Sequence, residues 1–271
     1  MREQPGPSGA PVLMLLHGWS ATADLNWHHC FGPLAKQFRV LAIDHRGHGR
    51  GLRHTGPFTL EDCADDVAAL AAQLGIERLI AVGYSMGGPI AQLLWQRHRS
   101  LVDGLVLCST SAVFGSTARL RALFRVAAGL SAARATGTVS SLAGSALGAV
   151  SRWNGRGGEV PWAVEQLARH DWKQVIEAGH QIGRYDARAW IGSVSVPTAV
   201  VATTADEVVP ARNQIALAEA IPSATLRILP GGHHGCVTEP DQFVPALVDA
   251  CREIADRSKE SAPSEIVKLA C

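Results

Sequence analysis

The chain is predicted to be an α/β protein, a mostly parallel, doubly wound sheet carrying a helical cap insertion. Three observations lead there. Short apolar runs recur along the sequence and end in Gly- or Asp-bearing turns, as strands buried on both faces do. Segments of helical apolar spacing alternate with these runs. The alternation breaks once, between Ser111 and Ile191, where no strand-like run occurs.

Val12 to Leu16, closed by His17-Gly18, is the first predicted strand, and Val40 to Ile43, closed by Asp44-His45-Arg46-Gly47, is the second. Thr59 to Leu74 is predicted helical because Leu60, Val67, Leu70, Ala71 and Leu74 share a face, with Thr59 and Asp62 as a capping pair. Leu79 to Val82 reads as a strand, Met86 to Arg97 as a helix and Leu105 to Cys108 as a further strand. Within the insertion, Thr117 to Ala133 and Trp162 to Ile182 have helical spacing, separated by a Gly-rich stretch around Asn154 to Gly158. Pro197 to Thr203 resumes the strand pattern, followed by a helix at Ala211 to Ala220, a strand at Thr225 to Leu229 and a closing helix at Asp241 to Ala255. Ser258 to Cys271 reads as a loose tail. The expected organisation is a core of residues 1–110 and 192–271 with a cap at 111–191.

With 271 residues, 47% of them hydrophobic and 18% charged, the chain can bury a sizeable single core. A formal net charge of +1 with scattered acids and bases offers no footprint for nucleic acid, so a small-molecule partner is expected. The six cysteines form no C-x-x-C pair or Cys/His ligand cluster, which argues against disulfides and a structural metal. A polar start and the lack of any bilayer-length apolar run predict a cytoplasmic protein with no transmembrane segment. Four of the seven tryptophans (Trp153, Trp162, Trp172, Trp190) fall in the insertion, where packing onto the core accounts for them and an apolar substrate pocket is the competing use.

The strongest chemical signal is Gly83-Tyr84-Ser85-Met86-Gly87, a G-x-S-x-G set between a predicted strand and a predicted helix. A serine hydroxyl is a poor nucleophile until a base takes its proton, and it must project from the strand end to meet a substrate. A tight turn at Ser85, with glycines two residues to either side, serves that need. The base is expected to be an imidazole, because it titrates near neutrality. Of eleven histidines, only His233 and His234 follow a strand late in the chain, as the order Ser, acid, His requires. The orienting acid is then Asp206, after the preceding strand, with Glu207 the weaker candidate and a helix N-cap the alternative use of Asp206. The backbone N–H groups of Trp19 and Met86 are the expected oxyanion donors. Trp19 is also a candidate wall of the acyl pocket, and His17, Gly18 and Tyr84 are assigned to substrate binding. His17, His48 and His180 are more readily structural or pocket-lining than basic.

These features together resemble the α/β-hydrolase superfamily over almost the whole chain. The resemblance rests on His17-Gly18-Trp19, Asp44-His45-Arg46-Gly47-His48-Gly49, Gly83-Tyr84-Ser85-Met86-Gly87-Gly88, Asp206 with Pro210, and Gly232-His233 followed by Glu239-Pro240. Within the superfamily the chain is similar to small bacterial esterases and monoacylglycerol-lipase-like members with a helical cap. The resemblance implies an acyl-enzyme on Ser85, proton transfer by the histidine, orientation by Asp206 and hydrolysis by water, without a metal or organic cofactor. Members often place the histidine seven residues before a proline and five before an acidic residue; His233 fits Pro240 and His234 fits Glu239. His233 is favoured because it directly follows Gly232. Members also carry two antiparallel strands ahead of the His-Gly loop, whereas only sixteen residues precede it here, so a sheet short of those strands is expected, with an edge open to pairing.

The serine at 85 argues strongly against the aspartate-dependent epoxide hydrolases and dehalogenases of the same fold. C–C bond hydrolases, perhydrolases and a carrier-dependent thioesterase keep the same triad, the last needing a basic patch such as Arg119, Arg121, Arg125 and Arg134. A non-catalytic ligand-binding member would be expected to lack one of the three residues, and none is missing. The Ala- and Leu-rich insertion points to a small-molecule ester with a hydrophobic acyl group.

Overall fold

The computed structural model describes residues 1–114 and 159–261. Seven strands form one sheet: β1 (Arg2–Gln4), β2 (Val12–Leu16), β3 (Arg39–Ile43), β4 (Leu79–Tyr84), β5 (Val102–Cys108), β6 (Thr198–Thr203) and β7 (Ala224–Leu229), in the order β1-β3-β2-β4-β5-β6-β7. Every pairing is parallel except β1 with β3. The helices among the described residues are α1 (Ala23–Trp27), α2 (Phe31–Ala35), α3 (Leu60–Gln73), α4 (Gly87–Arg97), α5 (Glu159–Ala168), α6 (Trp172–Arg184), α7 (Ala211–Ala220), α8 (Gly235–Thr238) and α9 (Pro240–Ser261).

Strand alternation explains the layers. Met14 and Leu16 of β2 and Leu41 and Ile43 of β3 face one core with α3, α4 and α7, while Leu13, Leu15, Val40 and Ala42 face another with α1, α2 and α9. Because both faces are covered, the central strands read as continuous apolar runs, which made them legible. Helix α3 starts where its cap predicts, the Thr59 hydroxyl accepting from the Asp62 N–H at 3.0 Å.

Four expectations change. The amino end does supply an antiparallel strand: Arg2 to Gln4 pair with Ala42 to Val40 and cover that edge of the sheet, helped by ion pairs from Arg39 to Glu3 and Arg2 to Asp24. The predicted helix at 162–182 is two helices, because Asp171 leaves helical geometry and accepts from the N–H groups of Lys173 and Gln174, starting α6 afresh. The closing helix runs to Ser261, past the expected start of the tail. The short helices α1 and α2 were not foreseen. The predicted helix at 117–133, the Gly-rich stretch at 154–158, Trp153 and the four insertion arginines lie outside the described residues, as does the chain beyond 261. The two described roots of the insertion meet through an antiparallel bridge between Val113 and Asp186. No helix among the described residues is long and apolar enough to cross a membrane.

Candidate active site

Strand β4 delivers Ser85 into a left-handed turn at φ 51°, a conformation that costs a non-glycine residue about 1 kcal/mol or more and must be held by its surroundings. Three backbone anchors hold it. Ser85 N–H donates to the Cys108 carbonyl at 3.0 Å, and the Ser85 carbonyl accepts from Gly88 N–H at 2.9 Å and the Thr110 hydroxyl at 2.8 Å. The flanking glycines are steric requirements: a Cβ on Gly87 would stand 2.0 Å from the Leu16 carbonyl oxygen, and one on Gly83 2.3 Å from that of Gly87.

The Ser85 Oγ lies 2.9 Å from Nε2 of His233, whose Nδ1 lies 2.8 Å from Oδ2 of Asp206. Asp206 is buried and fully engaged. Its Oδ1 accepts from the N–H groups of Val208 (2.9 Å) and Val209 (2.7 Å), and its Oδ2 also accepts from Gln214 Nε2 (3.0 Å) and the Thr203 hydroxyl (3.1 Å). Asp206 therefore does not cap α7, whose N-cap is Pro210. Glu207, next in sequence, is exposed. His234 is exposed and is the N-cap residue of α8.

Two residues assigned to substrate binding hold the frame instead. The His17 ring is fully buried; its Nε2 accepts from His45 N–H at 2.9 Å, so Nδ1 carries the proton and donates to the Gly18 carbonyl at 2.7 Å, leaving neither nitrogen for a ligand. Tyr84 is buried beneath the site, where its hydroxyl donates to the His233 carbonyl at 2.6 Å and fixes the histidine loop. Gly18 lies against the turn at Ser85, where a Cβ would come within 3.3 Å of the Ser85 Cβ, and its N–H donates to Asn26 Oδ1 at 2.8 Å. Trp19 follows Gly18 in the loop after β2, and Met86 follows Ser85 as the N-cap residue of α4. The Trp19 indole N–H donates to the Val175 carbonyl of α6 at 2.6 Å. Thr203, Gln214, Asn26 and Thr110 support the site without any motif in the sequence to mark them.

Beside this site four imidazoles cluster, with ring centres of His17 and His45 4.3 Å apart, His17 and His48 5.3 Å, and His48 and His170 5.3 Å. Burial drives His17 down, His45 and His48 well down, and His170 to about 4, from an ordinary value of 6.5. Between those values and 6.5 the unfolded chain binds more protons than the folded one, so stability is complete above 6.5 and declines as pH falls below it. His170, at about 4, by itself costs roughly 1 kcal/mol between pH 7 and 5.5, and the other three act in the same direction. Urea unfolding at these two pH values is expected to show a clearly lower midpoint at 5.5. Equal midpoints would mean that the cluster is not neutral and buried.

The model of the alpha/beta hydrolase fold family matches residues 11–240. The 3-oxoadipate enol-lactonase 2 of Acinetobacter baylyi is 26% identical over 245 residues, 88% of this chain and 87% of that protein. Higher identities come from shorter stretches: 36% with the proline iminopeptidase PfmaB of Pestalotiopsis fici and 40% with the bifunctional esterase/perhydrolase DCH of Acinetobacter calcoaceticus, spanning 39% and 31% of this chain and only 38% and 30% of those proteins. Among solved structures, the enol-lactonase from Burkholderia xenovorans LB400 superposes with a TM-score of 0.76 at 25% identity, covering 93% of this chain and 95% of that one.

Proposed function

Because the chain belongs to the alpha/beta hydrolase fold family, we propose that it is a serine esterase that cleaves a carboxylic ester through an acyl-enzyme on Ser85. The observation that carries this reading is the continuous relay from Ser85 Oγ through His233 to Asp206 at 2.9 and 2.8 Å. As Oγ attacks the ester carbonyl, His233 Nε2 takes its proton, and the resulting imidazolium is stabilised by the Asp206 carboxylate. The carbonyl oxygen gains negative charge and is met by the backbone N–H groups of Trp19 and Met86, each donor contributing about 3 to 4 kcal/mol to barrier lowering. Collapse breaks the C–O bond, and His233 returns the proton to the departing alkoxide. Water then repeats the sequence on the acyl-enzyme and releases the acid.

A lactone is an ester whose alcohol stays tethered, so the same steps open it; the similarity to the enol-lactonase of Acinetobacter baylyi over 88% of this chain supports lactones as a second substrate form. The Ala- and Leu-rich composition of residues 111–191 favours a hydrophobic acyl group.

The test is fluorophosphonate labelling with peptide mapping, alongside p-nitrophenyl esters of increasing chain length and a matched lactone series. A phosphonyl adduct on Ser85 together with ester turnover is the expected result. Folded protein that is neither labelled nor active would remove the esterase reading, and a preference for acetyl over longer esters would remove the hydrophobic acyl group.

A further inference from the structure

We infer that His170, in the joint between α5 and α6, is a positioning residue for the oxyanion loop, so that the insertion takes part in setting the rate of acyl transfer. The inference rests on the esterase reading above. His170 is buried, and Gly49 N–H donates to its Nδ1 at 2.8 Å. Nδ1 is therefore unprotonated, Nε2 carries the hydrogen, and this donates to the Ser20 carbonyl at 3.3 Å. One imidazole thus ties the loop after β2 to the loop after β3.

Ser20 is the sensitive point. It follows Trp19 directly and stands at φ 53°, a left-handed conformation that a serine keeps only when its neighbours hold it. The Ser20–Ala21 peptide is held at both of its polar groups: Ala21 N–H donates to the Gly18 carbonyl at 3.3 Å, and the Ser20 carbonyl accepts from His170. The joint itself is pinned to the core, because Asp171 N–H donates to the Gly47 carbonyl at 2.8 Å.

A second grip comes from the same insertion. The Trp19 indole N–H donates to the Val175 carbonyl, and its ring fits a notch made by Gly179, where a Cβ would come within 2.5 Å of the ring. The loop bearing the Trp19 amide is therefore held from the α6 side at its side chain and, one residue on, at its backbone. A donor displaced from the developing oxyanion loses its contribution in the transition state and little in ground-state binding, so kcat and not KM should respond.

The experiment compares His170→Ala, His170→Asn and His170→Gln, each confirmed folded by circular dichroism and melting. The Gln carboxamide reaches the position of Nε2 and restores a donor to Ser20; Asn reaches only the position of Nδ1 and restores the acceptor for Gly49. We expect kcat to fall about 10- to 100-fold in the Ala and Asn variants with KM within about threefold, and to recover largely in the Gln variant. Affinity for an alkyl trifluoromethyl ketone, whose adduct with the nucleophile places an alkoxide on the oxyanion donors, should fall in step with kcat. Should His170→Ala not fold, the Asn and Gln pair decides the question. Wild-type kcat in the Asn variant, or a loss of kcat with undiminished ketone affinity, would overturn the positioning role while leaving the esterase reading intact. Wild-type protein inactive on every ester would overturn that reading and this inference with it.

Discussion

Ser85→Ala is expected to lower turnover of a p-nitrophenyl ester by about 10⁶-fold, roughly 8 kcal/mol of barrier, while the protein stays folded. The size follows from the role: without Oγ no acyl-enzyme can form, and the remaining rate comes from the oxyanion donors acting on a water-attacked substrate. The fold should persist because the three anchors of the turn involve the backbone of residue 85, and an alanine Cβ occupies the place of the serine Cβ. The measurement is kcat/KM above background together with the melting temperature. More than about 1% of wild-type activity in a preparation free of wild-type protein would remove Ser85 from the mechanism.

Asp206→Asn is expected to lower kcat by about 10⁴-fold and to cost about 1 to 3 kcal/mol of stability. The direction comes from how the carboxylate is held. Because Oδ1 accepts two backbone N–H groups, from Val208 and Val209, the asparagine must keep its carbonyl oxygen there and turn its NH₂ toward the Oδ2 position. That NH₂ would face Nδ1 of His233, forcing the imidazole proton onto Nε2, where it can no longer accept from Ser85. It would also confront the donor Nε2 of Gln214, which is fixed by a further bond to the Val209 carbonyl at 2.7 Å. Steady-state kinetics and urea unfolding of the variant read the two effects separately. His234→Ala, by contrast, should leave kcat within a few fold. Near-normal kcat in Asp206→Asn would show that the imidazole tautomer is not set by residue 206.

How far each part was legible in the sequence depended on the range of the forces involved. β2 to β6 could be found because a strand buried on both faces has to be apolar at consecutive positions, and α3 because Thr59 supplies its own cap. β1 could not, since Arg2-Glu3-Gln4 has no pattern of its own and is a strand only by pairing with β3. The five-residue helices α1 and α2 are too short to show a period. The break between α5 and α6 turned on a single capping side chain, Asp171, inside an otherwise continuous helical pattern.

The site divides in the same way. Chain order and the glycines around Ser85 were sufficient to expect Ser85, Asp206 and one of His233 and His234 at neighbouring strand ends, because a tight turn and a parallel sheet are local and topological constraints written in residue type and order. Which of two adjacent histidines turns toward the serine was not written there. His233 points to Ser85 and His234 does not because the Tyr84 hydroxyl, from another strand, fixes the carbonyl of residue 233. The same holds for His17, spent on His45 N–H, for Gln214 and Thr203 on Asp206, and for His170 on Ser20. Directional hydrogen bonds between residues distant in sequence leave no periodicity or spacing, so only the tertiary structure could decide them.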